Sequence, residues 1–110
     1  MATYEDFTKL DVRAGKIVHV EDFDRARKPT YKVQVDFGPE LGTKWSSVQA
    51  KREYDREQLL GMVVVGVVNF PAKNIAGFMS EVLILGVPAE DGSLSVLTPS
   101  RGAVLGGQVY

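Results

Sequence analysis

The chain has 110 residues, 45% apolar and 25% charged, with 13 Lys and Arg against 14 Asp and Glu and a formal net charge of −1. That length supports one domain burying roughly two thirds of the surface its unfolded form exposes, and near-neutrality argues against nucleic-acid binding driven by charge alone. The absence of cysteine excludes disulfides, thiolate metal ligands and cysteine nucleophiles and fits a reducing cytoplasm; no apolar run is long enough for a membrane-spanning helix, and MATYEDFTKL lacks a signal peptide's apolar middle, so no membrane insertion is expected.

Thr3 and Asp6 have capping-box spacing and predict a short N-terminal helix, with Tyr4, Phe7 and Leu10 on one stripe. A helix this short must dock on the domain or on a second subunit. Leu10, Val12, Ala14, Val18 and Val20 share one parity and predict a half-buried strand, with Gly15 marking a bulge or bend and Ile17 on the other face. Residues 21 to 29, EDFDRARKP, read as a loop. Tyr31, Val33, Val35 and Phe37 alternate with Lys32, Gln34 and Asp36, the clearest strand pattern in the chain. FGPELG then predicts a turn, and WSSVQA, Trp45 to Ala50, a third strand.

Asp55 as N-cap, Gln58 at N3 and Gly61 as the stop predict a helix over YDREQLLG. The organising stretch follows, from Met62 to Leu85: MVVVGVVNF, the loop PAKNIAG, and FMSEVLIL. The first run reads as a central strand buried on both faces, since alternation vanishes when neither face meets water. The loop between the runs is shaped by Pro71 and Gly77, and composition alone makes it an ordinary β-hairpin finishing the core. After Leu85, GVPAEDG turns into a short strand, Leu94 to Leu97, and the tail TPSRGAVLGGQVY ends extended.

These elements sum to an all-β chain with the layout of an OB-fold. That is a five-stranded Greek-key barrel with a short N-terminal helix and a short helix before the fourth strand, a sandwich or another small barrel being the competing arrangements. Catalysis is not expected. The one histidine, His19, lies between Val18 and Val20 in a strand, Ser46 and Ser47 lack a nucleophile elbow, no glycine pattern fits a phosphate loop, and no cluster has metal-ligand spacing. No cofactor and no metal are implied. Binding remains: Trp45, Phe70 and Phe78 offer apolar or stacking surface beside Lys44, Arg52 and Lys73. Twelve of the 13 cations lie at or before Lys73, with a run at Arg25, Arg27, Lys28 and Lys32 that solvation alone could explain.

FTKLDVRAGKIVHVEDF, YKVQVDFG and above all NFPAKNIAGFMSEVL resemble the tRNA-binding-domain family. That family includes the EMAP-II-like domains and those appended to methionyl-tRNA synthetases, and within it the likeness is greatest to the CsaA-type secretion chaperones. The resemblance implies an OB-fold homodimer, tRNA binding in many relatives, and in the CsaA type a role in export through unfolded or precursor polypeptides. Carried over by position, Asn69, Pro71, Lys73, Ser80 and Glu81 correspond to the family's N-x-P-x-K and S-E elements bordering a binding face. Ser46, Ser47 and Gln49 match the polar strand before it, and Ile75 and Met79 complete the mixed loop surface. The chain departs in carrying Trp45 where a polar residue is expected and Ala72 where relatives can be more basic, which weighs toward apolar peptide contact. The resemblance also implies a dimer interface formed by Tyr4, Phe7 and Leu10 with Val104, Leu105, Val109 and Tyr110. A dimer module without any ligand is the third reading.

Overall fold

A computed structural model describes all 110 residues, Met1–Tyr110. The expected N-terminal helix is α1, Tyr4–Thr8. The Thr3 hydroxyl accepts from the Asp6 N–H at 3.2 Å, while the Asp6 carboxylate accepts from the Thr3 N–H at 2.9 Å. None of its residues is buried. Strand β1, Val12–Asp22, then pairs antiparallel with β2, Tyr31–Asp36, and with β4, Val63–Val67. Strand β3, Thr43–Val48, pairs with the far edge of β2, and β7, Leu83–Ile84, with β4. The sheet order is β3-β2-β1-β4-β7, a nearly closed antiparallel barrel with a few short helices, as the OB-type layout requires.

Several elements differ from the sequence reading. FGPELG contains a single helical turn, α2, Gly38–Leu41. The third strand begins two residues early, and Ala50 is fully buried in the turn toward α3, Arg56–Leu59, where Gln58 caps the Asp55 N–H at 2.8 Å. The valine-rich run is not buried on both faces: Val64 is sealed while Val63 and Val65 are half-exposed, and the middle strand is β1. The second run breaks after β6, Phe78–Ser80, before resuming as β7. Beyond it β8, Gly86–Pro88, pairs with β9, Leu94–Val96.

The parity of β1 also differs. Its core side carries Gly15 and Ile17, and Val18 is exposed; the side chain missing at Gly15 makes room for Val35 of β2 and for Phe37 just after it. A Cβ there would lie 2.6 Å from Val35 Cγ1 and 2.7 Å from the Phe37 ring. The β1–β2 register shifts between Ile17 and His19, a bulge two residues on from that glycine. Val12 and Ala14 are buried as well, on the part of β1 that bonds the C-terminal segment: Ala14 N–H to Gly107 O, Gly106 N–H to Ala14 O and Val109 N–H to Val12 O. The core gathers Ile17, Val33, Val35, Phe37, Leu59, Val64 and Val82.

Candidate functional site

The alternation of β2 decides which side chains leave the barrel. With Val33 and Val35 inside, register pairs Glu21–Lys32–Ser47 and His19–Gln34–Trp45 on the outer face, whereas Lys44, opposite Val35, falls on the core-side row with Ser46 and Val48. Lys44 therefore does not share a face with Trp45. On the outer face the Trp45 indole meets His19 edge-on at 5.7 Å and Phe78 at 6.0 Å, and Phe78 meets Phe23 at 5.4 Å. The Lys32 ammonium lies 4.9 Å from the Phe23 ring centre and 5.0 Å from that of Phe78, a cation held between two rings. His19 Nε2 is 3.0 Å from Glu21.

Phe78 comes from a separate hairpin, β5, Lys73–Ile75, with β6. Its two-residue turn has φ of +50° at Ala76 and +88° at Gly77, the pair of left-handed residues that a type I′ turn needs, and Asn74 Oδ1 accepts from the Gly77 N–H at 2.9 Å. Register places Lys73, Ile75, Phe78 and Ser80 on one face and Asn74 and Met79 on the other, so Met79 points away and is 48% exposed.

Ser80 and Glu81 stitch the barrel. Glu81 N–H donates to Trp45 O at 2.8 Å, the Glu81 carboxylate accepts from Trp45 N–H at 2.9 Å, and Ser80 Oγ accepts from Ser47 N–H at 3.1 Å. Ser46, 1% exposed, donates to Val82 O at 2.7 Å inside the barrel. Its hydroxyl is thus committed to closure and withheld from any ligand. Asn69 is likewise committed: its Oδ1 accepts from Asp11 N–H and its Nδ2 donates to Lys9 O, both at 2.8 Å, fastening the exit of α1.

Beyond the stitch a groove of about 750 Å³ opens between β3 and β7. Ser47, Gln49 and Glu53 line one side, Phe70, Pro71, Lys73 and Ile75 another, and Ser80 to Pro88 with Gly92 to Leu94 most of the rest. Phe70 is 45% exposed. Of the residues expected to converge, Phe70 and Lys73 meet in this groove, while Trp45 and Phe78 form the adjoining cluster, where Trp45 is only half-exposed. Arg52 is exposed on the turn before α3 and in no ion pair; its neighbour Lys51 bonds Asp22 at 3.1 Å and reaches Asp24 at 3.8 Å. Sequence reasoning missed Phe23, Lys32 and His19 as cluster members, although the alternation of β2 already sent Lys32 outward. It also missed Glu53, for which no local pattern exists.

Two groups have displaced pKa values. Hydrogen bonding from Ser93 holds the Asp91 carboxyl below the usual carboxylate range, next to the groove wall at Gly92 and Ser93. The Arg13 guanidinium is held above its ordinary value by its hydrogen bond to Asp11, and it also donates to Gly106 O at 3.0 Å, tying down the C-terminal segment. Tyr4, Phe7, Leu10, Val104, Val109 and Tyr110 all remain exposed, whereas Leu105 is half-buried with its main chain against Gly38.

The CsaA chaperone protein from Picrophilus torridus superposes with a TM-score of 0.93 at 44% identity, covering 100% of both chains. The chaperone CsaA from Bacillus anthracis strain Ames gives 0.93 at 45% identity, covering 100% of this chain and 99% of that one. Methionine–tRNA ligase of Pyrococcus horikoshii is 38% identical over 107 residues, 96% of this chain but only 14% of the ligase. The family model described as "Putative tRNA binding domain" matches residues 12–108. The barrel, its stitched seam and these likenesses together place the chain in the tRNA-binding-domain family.

Proposed function

We propose that the protein is a homodimeric, cytoplasmic chaperone of the CsaA type that holds unfolded or precursor polypeptides, in support of export, in the groove between β3 and β7. The groove carries this reading: about 750 Å³ of open, half-apolar concavity beside an incompletely joined barrel seam. Full-length likeness to two CsaA chaperones at 44% and 45% identity supports it. Apolar walls supply affinity without reading sequence, and half-exposed Phe70 is the side chain best placed to meet a client. The exposed apolar residues of α1, fastened at its exit by Asn69, and of the C-terminal segment, bonded to the start of β1, supply the dimer surface, so one client can engage two grooves. The test is suppression of client aggregation by Phe70→Ala. The expected outcome is a severalfold loss with the denaturation midpoint unchanged, and full activity in a folded variant overturns the groove assignment. Light scattering checks the dimer: a monomer at micromolar concentration would remove it.

A second reading, tRNA binding, is favoured by the outer-face cluster. Trp45, His19 and Phe78 offer edges and faces for stacking, Lys32 a fixed charge, and Arg25, Arg27 and Lys28 of the β1–β2 loop are in no ion pair. Such binding must weaken steeply with salt. Filter retention of tRNA at two ionic strengths decides, and no retention even at low salt ends this reading.

A further inference from the structure

Alternate residues of a strand present their main-chain groups to the same edge, and on β3 the outer edge is formed by Trp45 and Ser47, with Gln49 in the bend that follows. No strand pairs with it. Trp45 N–H and Ser47 N–H are capped by the side chains of Glu81 and Ser80, and Gln49, which lies in the groove wall, makes no main-chain hydrogen bond within the chain. A side-chain cap is a bond that an incoming main chain can replace. The same groove wall holds Glu53, whose Oε2 is sealed from water yet has no hydrogen-bond donor. Acidic Glu53 and Glu81 face a single cation, Lys73, among the lining residues.

We propose that an extended polypeptide enters the groove as an added strand, pairing its main chain with β3 at Ser47 and with Gln49 just beyond the strand, and setting a basic side chain beside Glu53. This rests on the polypeptide-binding reading above. Strand addition draws affinity from main-chain bonds common to every sequence and selectivity from the side chains of alternate residues. It also explains why closure here uses mostly side chains and a single main-chain bond: a complete β3–β7 ladder would leave no edge to receive a client. The occupant fits on charge, since a lysine or arginine beside Glu53 in the groove offsets the excess acid. An RNA strand would bring phosphates to that acid and could not form the ladder.

The probe is a synthetic peptide alternating leucine and serine around one central lysine, followed by fluorescence anisotropy. Two versions carry N-methyl groups on alternate amides, one on the odd and one on the even positions, which removes donors from one edge at a time. One methylated version should bind at least about tenfold more weakly while the other stays within about twofold of the parent. Equal binding by both versions, or equal loss, overturns strand addition while leaving polypeptide binding intact; no binding of the parent peptide overturns both. Replacing the central lysine by glutamate should weaken binding about tenfold at low salt, and Glu53→Gln should remove most of that difference. An undiminished lysine preference in folded Glu53→Gln protein overturns the role given to Glu53. Glu53→Gln leaves the β3 edge untouched, so the methylation pattern should persist in it.

Discussion

Two stretches of one seam differ in how they join. Where Trp45, Ser46 and Ser47 face Ser80, Glu81 and Val82, two side-chain oxygens, one hydroxyl donor and a single main-chain bond hold the barrel shut. A few residues further, no ladder joins β3 to β7, and the groove opens. The polar residues that look like a binding motif in the sequence are largely the fastening, and the space for a ligand starts where the fastening ends. A residue conspicuous for its polarity is here more often meeting the needs of buried or strand-edge main chain than awaiting a partner.

The largest perturbation is to β1, the middle strand of the sheet whose two end strands form both stretches. Gly15→Ala drives a methyl group into Val35 and Phe37 at 2.6–2.7 Å. Overpacking of that kind should cost about 3 kcal/mol, read from urea denaturation. An unchanged midpoint would mean that β1 can move away from β2 freely, and that the sheet joining the two stretches is not held rigid at its centre.

Ser46→Ala separates the stretches. It removes the donor to Val82 O inside the closed part, leaving that carbonyl unsatisfied, and should cost about 2 kcal/mol. The same assay on Phe70→Ala should show almost no loss, because that side chain is half in water and its role lies in the open part. Equal destabilisation by the two substitutions would erase the distinction drawn between them.

This division was only partly legible in the sequence. The alternation from Tyr31 to Asp36 showed β2 and its two faces without ambiguity, and Thr3 with Asp6 showed α1 and its cap. The barrel followed from the order of such elements. Strand β1 misled because a glycine on its core face carries no hydrophobic signal, so the parity of Val18 looked stronger than that of Ile17. The split of FMSEVLIL was hidden because Val82 continues the apolar run while its carbonyl serves Ser46 across the barrel. Trp45, Phe70, Lys73 and Phe78 were expected to converge on one groove, which only Phe70 and Lys73 line. Their division between a cluster and a groove depends on long-range register, which no local pattern encodes.

The hairpin between the two surfaces offers a smaller test. Ala76 holds φ at +50°, a conformation that costs an alanine about 1 kcal/mol and glycine almost nothing. Ala76→Gly should therefore stabilise the β5–β6 turn by up to about 1 kcal/mol, seen as slower amide exchange at Ile75 and Phe78. Faster exchange there would mean that the greater freedom of glycine in the unfolded chain outweighs the relieved strain.

The smallest effect is expected at the groove's far wall, where Asp91 Oδ1 accepts from the Ser93 N–H and hydroxyl. Those bonds favour the ionised carboxyl, so its pKa in the folded chain lies below that of the unfolded chain. The bonds are fully present above the ordinary carboxylate range and are lost as pH falls through the lower, folded value. The Ser93 amide resonance should therefore titrate with a midpoint below that of an ordinary aspartate, with the global fold intact. Asp91→Ala should shift the same resonance at neutral pH without moving the denaturation midpoint, and should loosen peptide binding only slightly, because Ser93 is one residue on one wall of the groove. A midpoint at the ordinary aspartate value would show that the turn is not held by these bonds. The wall opposite β3 would then owe its shape to the β8–β9 pairing alone.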